Sequence, residues 1–203
     1  MIRSLYWTPD LQQLERVSVS IYWTLQGSSI KIGMKMWTSY QTTQKSTLAI
    51  YYIFWFRTRN YLLSSSLSVA MKTSLHKGRS IHLNVYTVSL STNNGYSPLP
   101  VSYASEPELD GIVIRFTTLP GGSSTERQGG TLVHECGHWL GLLHTFDGGC
   151  IGTGDGVDDT PPEASEARGC PIGRKSCPNS DLPDPIRKYM AFCLLTLCDL
   201  SSF

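Results

Sequence analysis

The hydrophobic and polar positions of this chain change rhythm near residue 67. Residues 1–66 show no clear period, few turn signals and one long apolar run, Leu48 to Phe56 (LAIYYIFWF). That run is shorter than the ~20 residues needed to cross a bilayer and reads as a buried strand. From Leu67 the signals sharpen. SVAMKTSLHKG (68–78) predicts a helix whose Val69, Ala70, Thr73 and Leu75 share a face, with Gly78 as its stop. IHLNVYTVSL (81–90) predicts a strand, from its β-branched and aromatic residues and the alternation at Leu83, Val85 and Thr87. After a turn-rich loop, NNGYSPLP, the nearly continuous apolar run DGIVIRFTTL (110–119) predicts a second strand, ended by Pro120-Gly121-Gly122. TLVHECGHWLG (131–141) predicts a second helix. Beyond His144 the chain reads as Gly-, Pro- and Asp-rich loop up to a last apolar patch, YMAFCLLTLC.

At 203 residues the chain fits one domain, or one domain with an extension. Residues 1–66 form an N-terminal region without a recognisable motif, and 67–203 carry the chemistry. The net charge of +1 hides a basic first third, with seven Lys/Arg against Asp10 and Glu15. Those cations (Arg3, Arg16, Lys31, Lys35, Lys45, Arg57, Arg59) are scattered singly rather than gathered on one element, so no nucleic-acid partner is expected. No membrane partner is expected either. The start, MIRSLYWTPDLQQLER, lacks an apolar stretch ahead of Pro9 and Asp10, and no secretory signal is read in it. Cysteine usage points outward nonetheless. Cys150, Cys170, Cys177, Cys193 and Cys198 cluster in the loop-rich end, which suits disulfides in an oxidising compartment. A structural zinc site is the competing reading, weakened by the lack of a C-x2-C pair.

The chemistry concentrates in HECGHWLGLLH, residues 134–144. On a helix, positions four apart stack, so His134 and His138 can present imidazoles to one point. Glu135 projects about 100° round the helix, beside that pair, where a general base would touch an attacking water. Gly141 can end the helix in a left-handed conformation, and the bend would bring His144 round as a third ligand. Three neutral imidazoles leave a tetrahedral Zn2+ one open position for water. Lone histidines on helices are usually solvent-facing or satisfied in cores, but five chemically matched residues in one spacing are far more specific. Cys136, inside the motif, reads as a small buried thiol.

HExxHxxGxxH resembles the metzincin signature. The surrounding stretches LDGIVIRFTTLPGGS, GDGVDDTPPEAS and DPIRKYM are similar to the pappalysin-like branch, particularly the fungal secreted metalloproteases related to cytophagalysin. The likeness runs from about Val69 to Met190. It implies an α+β (α/β-type) zincin-like metzincin fold: a twisted mixed β-sheet, a zinc-binding active-site helix, and a loop-rich, disulfide-stapled C-terminal part. The catalytic domain would span 67–203, with an end atypical after 190. By this resemblance His134, His138 and His144 would hold zinc, Glu135 would be the catalytic base, and Met190 the Met-turn methionine beneath the metal. Cys150 would pair with Cys177, and Cys170 with Cys198 or, as second choice, Cys193. Asp155, Asp158 and Thr160 become candidate Ca2+ ligands, since close oxygens suit calcium; the loop lacks a full EF-hand pattern, so a plainly solvated acidic loop stands beside that reading. The expected activity is a secreted-type zinc endopeptidase, extracellular and monomeric. Its protein or peptide substrates would lie as an extended strand along Gly111–Thr118.

The chain departs from the family pattern in places. After Met190 the family continues with an acidic residue and a tyrosine whose hydroxyl can reach the metal site; here stand Ala191 and Phe192. Arg187-Lys188 replace His-Asn. Two readings compete, a diverged or truncated family member and a family core between ends foreign to it; both departures, before Val69 and after Met190, are abrupt, which favours the second. The alternative function is a catalytically impaired zinc-binding module retaining the metzincin core, which Phe192 and the absent C-terminal helix favour and the intact Glu135 opposes. A third arrangement, with Glu163 or Glu166 as ligand, ranks last because both lie in a Pro-rich loop.

Overall fold

The computed structural model describes residues 16–26, 29–39, 47–62, 65–124, 127 and 129–192. Its centre is a mixed sheet of six strands: β1 (Arg16–Gln26), β2 (Ser29–Ser39), β3 (Thr47–Leu62), β4 (His82–Ser89), β5 (Gly95–Tyr96) and β6 (Ile112–Arg115). The spatial order is β1-β2-β3-β4-β6-β5. β1, β2 and β3 pair antiparallel in sequence, β3–β4 and β4–β6 are parallel, and β5 returns antiparallel on β6. Helix α1 (Ser65–Leu75) makes the crossover between the parallel β3 and β4, and helix α2 (Gly130–Trp139) follows β6. The expected mixed sheet with helices is thus observed. No helix among the described residues is long and apolar enough to cross a membrane.

The sheet reaches further toward the N-terminus than the sequence reading. The run 48–56 lies in β3, as expected, but β1 and β2 were not predicted. Their signal is nevertheless present: Val17, Val19, Ile21, Trp23 and Leu25 alternate with mostly polar neighbours, as do Ile30, Ile32, Met34 and Met36. Gln26 pairs with Ser29 across Gly27-Ser28, a dipeptide suited to a two-residue hairpin.

The face of α1 also differs from expectation. Val69, Ala70 and Thr73 are exposed, whereas Met71 and Lys72 are buried and Leu75 half-buried. Ser68, Met71, Lys72 and Leu75 fall at i, i+3, i+4 and i+7, the spacing of a single stripe; a lysine inside it disguised the pattern. Met71 packs on Tyr86, Val88 and Val113, with Leu75, Leu90 and Tyr96 at the margin. Strand parity then turns Leu83, Val85, Ile112 and Ile114, all fully buried, to the opposite face of the sheet. Burial on both faces explains why β6 reads as an apolar run, and it extends to β4, whose sequence reads as alternating.

Lys72 ties α1 to the start of β6. Its Nζ donates to the carbonyls of Leu109 and Gly111, each at 2.8 Å, and lies over the rings of Tyr96 and Tyr86. Burial lowers its ammonium to about 8, against the opposing pull of the Asp110 carboxylate. Asp110 in turn accepts from the Trp139 indole N–H at 3.0 Å. One short segment, 109–111, therefore anchors both helices. It sets α2 relative to the sheet.

β6 ends at Arg115, where a 3-10 turn over Phe116–Thr118 takes over, with the Thr118 hydroxyl donating to the Arg115 carbonyl. The expectation that Gly111–Thr118 forms the rim of a cleft is corrected by the topology. β6 is covered by β4 on one side and β5 on the other, so it has no edge to offer. The strand that ends this side of the sheet is β5, inside the stretch read as a turn-rich loop. Two residues are too few to show a period.

Candidate metal centre

α2 starts after Gly129, whose φ of 97° is left-handed, and ends in a Schellman motif. The N–H of Leu142 bonds the Gly137 carbonyl at 2.9 Å, and that of Gly141 the His138 carbonyl at 2.9 Å. Gly141 sits at φ 101°, a conformation L side chains rarely adopt. This is the bend expected from the sequence. It turns the chain so that His144 comes back over the helix.

The three imidazoles meet through their Nε2 atoms. His138 Nε2 lies 3.1 Å from His134 Nε2 and 3.1 Å from His144 Nε2. Three nitrogens each about 2.0–2.1 Å from a tetrahedral zinc stand ~3.3 Å apart, so this convergence matches a metal-ligand triangle. The opposite ring nitrogens are already engaged. His134 Nδ1 is 2.7 Å from the Tyr189 carbonyl, and His138 Nδ1 is 2.8 Å from the Leu142 carbonyl. A carbonyl only accepts, so both Nδ1 atoms carry the proton and both Nε2 lone pairs point inward. His144 Nδ1 faces Asp147 Oδ2 at 3.5 Å, and the same carboxylate accepts its backbone N–H at 2.9 Å. Burial holds His134 down to about 4 and lowers His144 as well, keeping both neutral near pH 7 as metal ligation requires. Among the described residues, this trio is the group of His, Cys, Asp and Glu placed to hold a metal ion.

Glu135 is buried beside the trio, and burial raises its carboxyl to about 8. Its Oε2 has no protein hydrogen-bond partner. An orphaned carboxylate oxygen beside three converging imidazole nitrogens fits a nearby cation, whose charge would oppose that rise. Gly95 of β5 lies against it: a Cβ there would stand 3.0 Å from Glu135 Cγ and Oε1 and 3.0 Å from the Val113 carbonyl. The φ of Gly95 is not left-handed, so space rather than backbone demands the glycine. Cys136 is a buried free thiol pushed up to about 12 by burial, which makes it inert at neutral pH.

Met190 packs under α2. A Cβ at Gly137 would meet its Sδ at 2.5 Å, so the helix accepts this turn only because position 137 lacks a side chain. The same turn, Tyr189–Ala191, supplies the carbonyl that holds His134. Phe192 follows at φ 61°, 47% exposed, its ring 5.2 Å from that of His134 and 5.0 Å from that of His144. Phe146 stacks on His144 at 4.8 Å, its ring 6.1 Å from that of Phe192. Neither Gly95 nor Gly137 was singled out in the sequence. Their roles depend on residues 40 and 53 positions away, Glu135 and Met190, which no local spacing links.

The remaining predicted residues lie outside the trio. Asp155 is buried and accepts the Val157 N–H at 3.0 Å and a bond from the Thr160 side chain, while Asp158 is exposed. The structure brings Asp155 and Thr160 together and does not add Asp158 to a metal-type cluster. Cys150 and Cys177 form a disulfide. Cys170 is disulfide-bonded too, and Cys193 and Cys198 lie outside the described residues. Glu163 is committed to Thr145 and Arg174, and Glu166 to Arg168, so neither completes the trio.

Residues 76–193, more than half of the chain, match the Peptidase_M43 family, that of pregnancy-associated plasma protein-A. An extracellular metalloprotease of Pyricularia oryzae is 53% identical over 127 residues, covering 61% of this chain and 45% of that protein. Another, from Sordaria macrospora, is 39% identical over 192 residues, covering 87% of this chain and 67% of its own. That span exceeds what 67–203 can hold, so the likeness extends into residues before 67, contrary to expectation. Mature mirolysin of Tannerella forsythia, solved with a cleaved peptide, matches with a TM-score of 0.56 at 26% identity over 66% of this chain and 54% of that one. The chain spans about half the length of the Pyricularia relative, and likewise 47% of one from Verticillium alfalfae.

The contact under α2 is open to a direct check. Gly137→Ala forces Met190 or the helix to move, and overpacking of this kind costs about 1–3 kcal/mol. Thermal melting of the variant is expected several degrees below the parent, with weakened zinc uptake as the Tyr189 carbonyl leaves His134; an unchanged melt and unchanged uptake would refute the contact.

Proposed function

The chain belongs to the Peptidase_M43 family, and from that premise we propose that it is a secreted zinc endopeptidase acting on peptide or protein substrates. The observation that carries this reading is the convergence of three Nε2 atoms at 3.1 Å with Nδ1 of His134 and His138 held by carbonyls. His134, His138 and His144 are the proposed zinc ligands. A zinc ion there would supply Lewis acidity, making a water a stronger nucleophile and favouring charge on the scissile carbonyl oxygen. The chain's own residues do the rest. Glu135, next to His134 and with a buried Oε2 that has no protein partner, takes the proton from the attacking water and delivers it to the leaving amine. Gly95 keeps the space that this carboxylate occupies. The substrate backbone adds to the sheet as an extended strand on β5, the terminal strand, rather than on β6. Export is supported by the relatives named extracellular metalloproteases and by the Cys150–Cys177 disulfide. The catalytic domain proposed over 67–203 shares its sheet with β3.

The decisive comparison sets the chain against Glu135→Gln, measuring bound zinc and casein cleavage. Equal zinc in both, with cleavage reduced at least a hundredfold in the variant, is expected. Zinc and cleavage should decline together on acidification, because protonated histidines release the metal. Absence of zinc in the parent would sink the reading.

Phe192 favours the second reading, a zinc-binding module with impaired turnover. Its ring lies against two of the three imidazoles and carries no donor for a developing oxyanion. Phe192→Tyr is expected to raise kcat by about tenfold or more at unchanged zinc content. No gain would show that the ring position is irrelevant to turnover.

We also propose Asp155, Asp158 and Thr160 as a calcium site, on the family resemblance and on the contact between Asp155 and Thr160. Millimolar calcium should then raise the melting temperature of the parent and leave that of Asp155→Ala unmoved; equal responses would remove calcium from the account.

A further inference from the structure

His134 and His138 inherit their positions from α2, but His144 lies past the helix on no regular element, and something else must fix its backbone. The residue after it is Thr145, which is buried and bonded at both ends. Its backbone N–H donates to the Met190 carbonyl at 3.3 Å, and its hydroxyl donates to Glu163 Oε2 at 2.6 Å. Glu163 is fully buried and 18 residues further along the chain. A buried carboxylate persists only when paired and hydrogen-bonded. Here Arg174 Nη1 donates to Glu163 Oε1 at 2.8 Å and stands 3.1 Å from Asp184 Oδ2. The Ser176 N–H holds the other Asp184 oxygen at 2.9 Å, and Arg174 also donates to the Ser165 carbonyl and hydroxyl. Ser176 precedes Cys177 of the disulfide. The stapled loop thus presents one carboxylate oxygen to the residue that follows the third histidine.

We propose that Glu163, held in place by Arg174 and Asp184, is a positioning residue for His144. Its bond to Thr145 fixes the backbone from which the third imidazole is presented, and so sets how tightly the trio holds its metal. This rests on the zinc reading above. Groups that orient metal ligands typically contribute about 10–100-fold to affinity, which makes the effect measurable without any turnover.

The experiment is chelator competition for zinc on the full chain, with thermal melting of the metal-free forms alongside. Thr145→Val, which keeps the shape and removes the hydroxyl, is expected to weaken zinc about tenfold. Thr145→Ser, which restores the donor, should stay within about twofold of the parent, and Glu163→Gln should weaken zinc in the direction of Thr145→Val. The double variant should lose little beyond the larger single loss, because both act through one bond. If Glu163→Gln does not fold, the two Thr145 variants decide alone. A Thr145→Val form that melts lower yet binds zinc like the parent would overturn the proposal, leaving the cluster purely structural. So would a Thr145→Ser form as weak as Thr145→Val. A parent that binds no zinc would instead overturn the metal reading beneath it.

Discussion

Three imidazoles can face one point with their lone pairs only if each ring's other nitrogen is held elsewhere. Two backbone carbonyls do that work here, Tyr189 for His134 and Leu142 for His138. Because a carbonyl can only accept, each grip fixes a tautomer as well as an orientation. The rest of the centre follows from supplying those two oxygens. Gly141 turns the chain so that Leu142 comes back over the helix. The turn at Met190 brings Tyr189 under the helix, and it fits there because Gly137 has no side chain. The two motifs lie some fifty residues apart in sequence and form one physical unit.

The sheet contributes placement rather than chemistry. The segment 109–111 accepts Lys72 from α1 through its carbonyls and Trp139 from α2 through Asp110, so the two helices are referenced to a single point. β5 does the finer work on the other side of Glu135. Tyr96 bonds the Ser68 hydroxyl and faces Lys72, while Gly95 lies against the Glu135 carboxylate. A two-residue edge strand therefore connects α1 to the group proposed as the base, and is the edge proposed for a substrate strand.

The histidine trio, Glu135 and the Gly141 bend were legible in the sequence because their geometry is local: helical periodicity and one left-handed residue determine it. What escaped was tertiary. The stripe of α1 is disguised because Lys72 occupies an apolar position, tolerable through carbonyls 37 and 39 residues away, the Asp110 carboxylate and two tyrosine rings. The period-two signal of β1 and β2 is present in the sequence but is masked by the adjoining Ser/Thr/Gln-rich stretch. β5 was too short to signal, so β6 was mistaken for the rim. Gly95 and Gly137 look like any other glycines until Glu135 and Met190 are set against them. Glu163 read as a loop residue, although it is among the most buried charges in the described chain.

Zinc K-edge absorption on the purified chain tests the central claim most directly, since it reports the ligand atoms themselves. The account predicts three imidazole nitrogens and one oxygen at about 2.0–2.1 Å and no sulfur shell. A sulfur contribution near ~2.3 Å, which would bring in a cysteine such as Cys136, or fewer than three imidazoles, would contradict it.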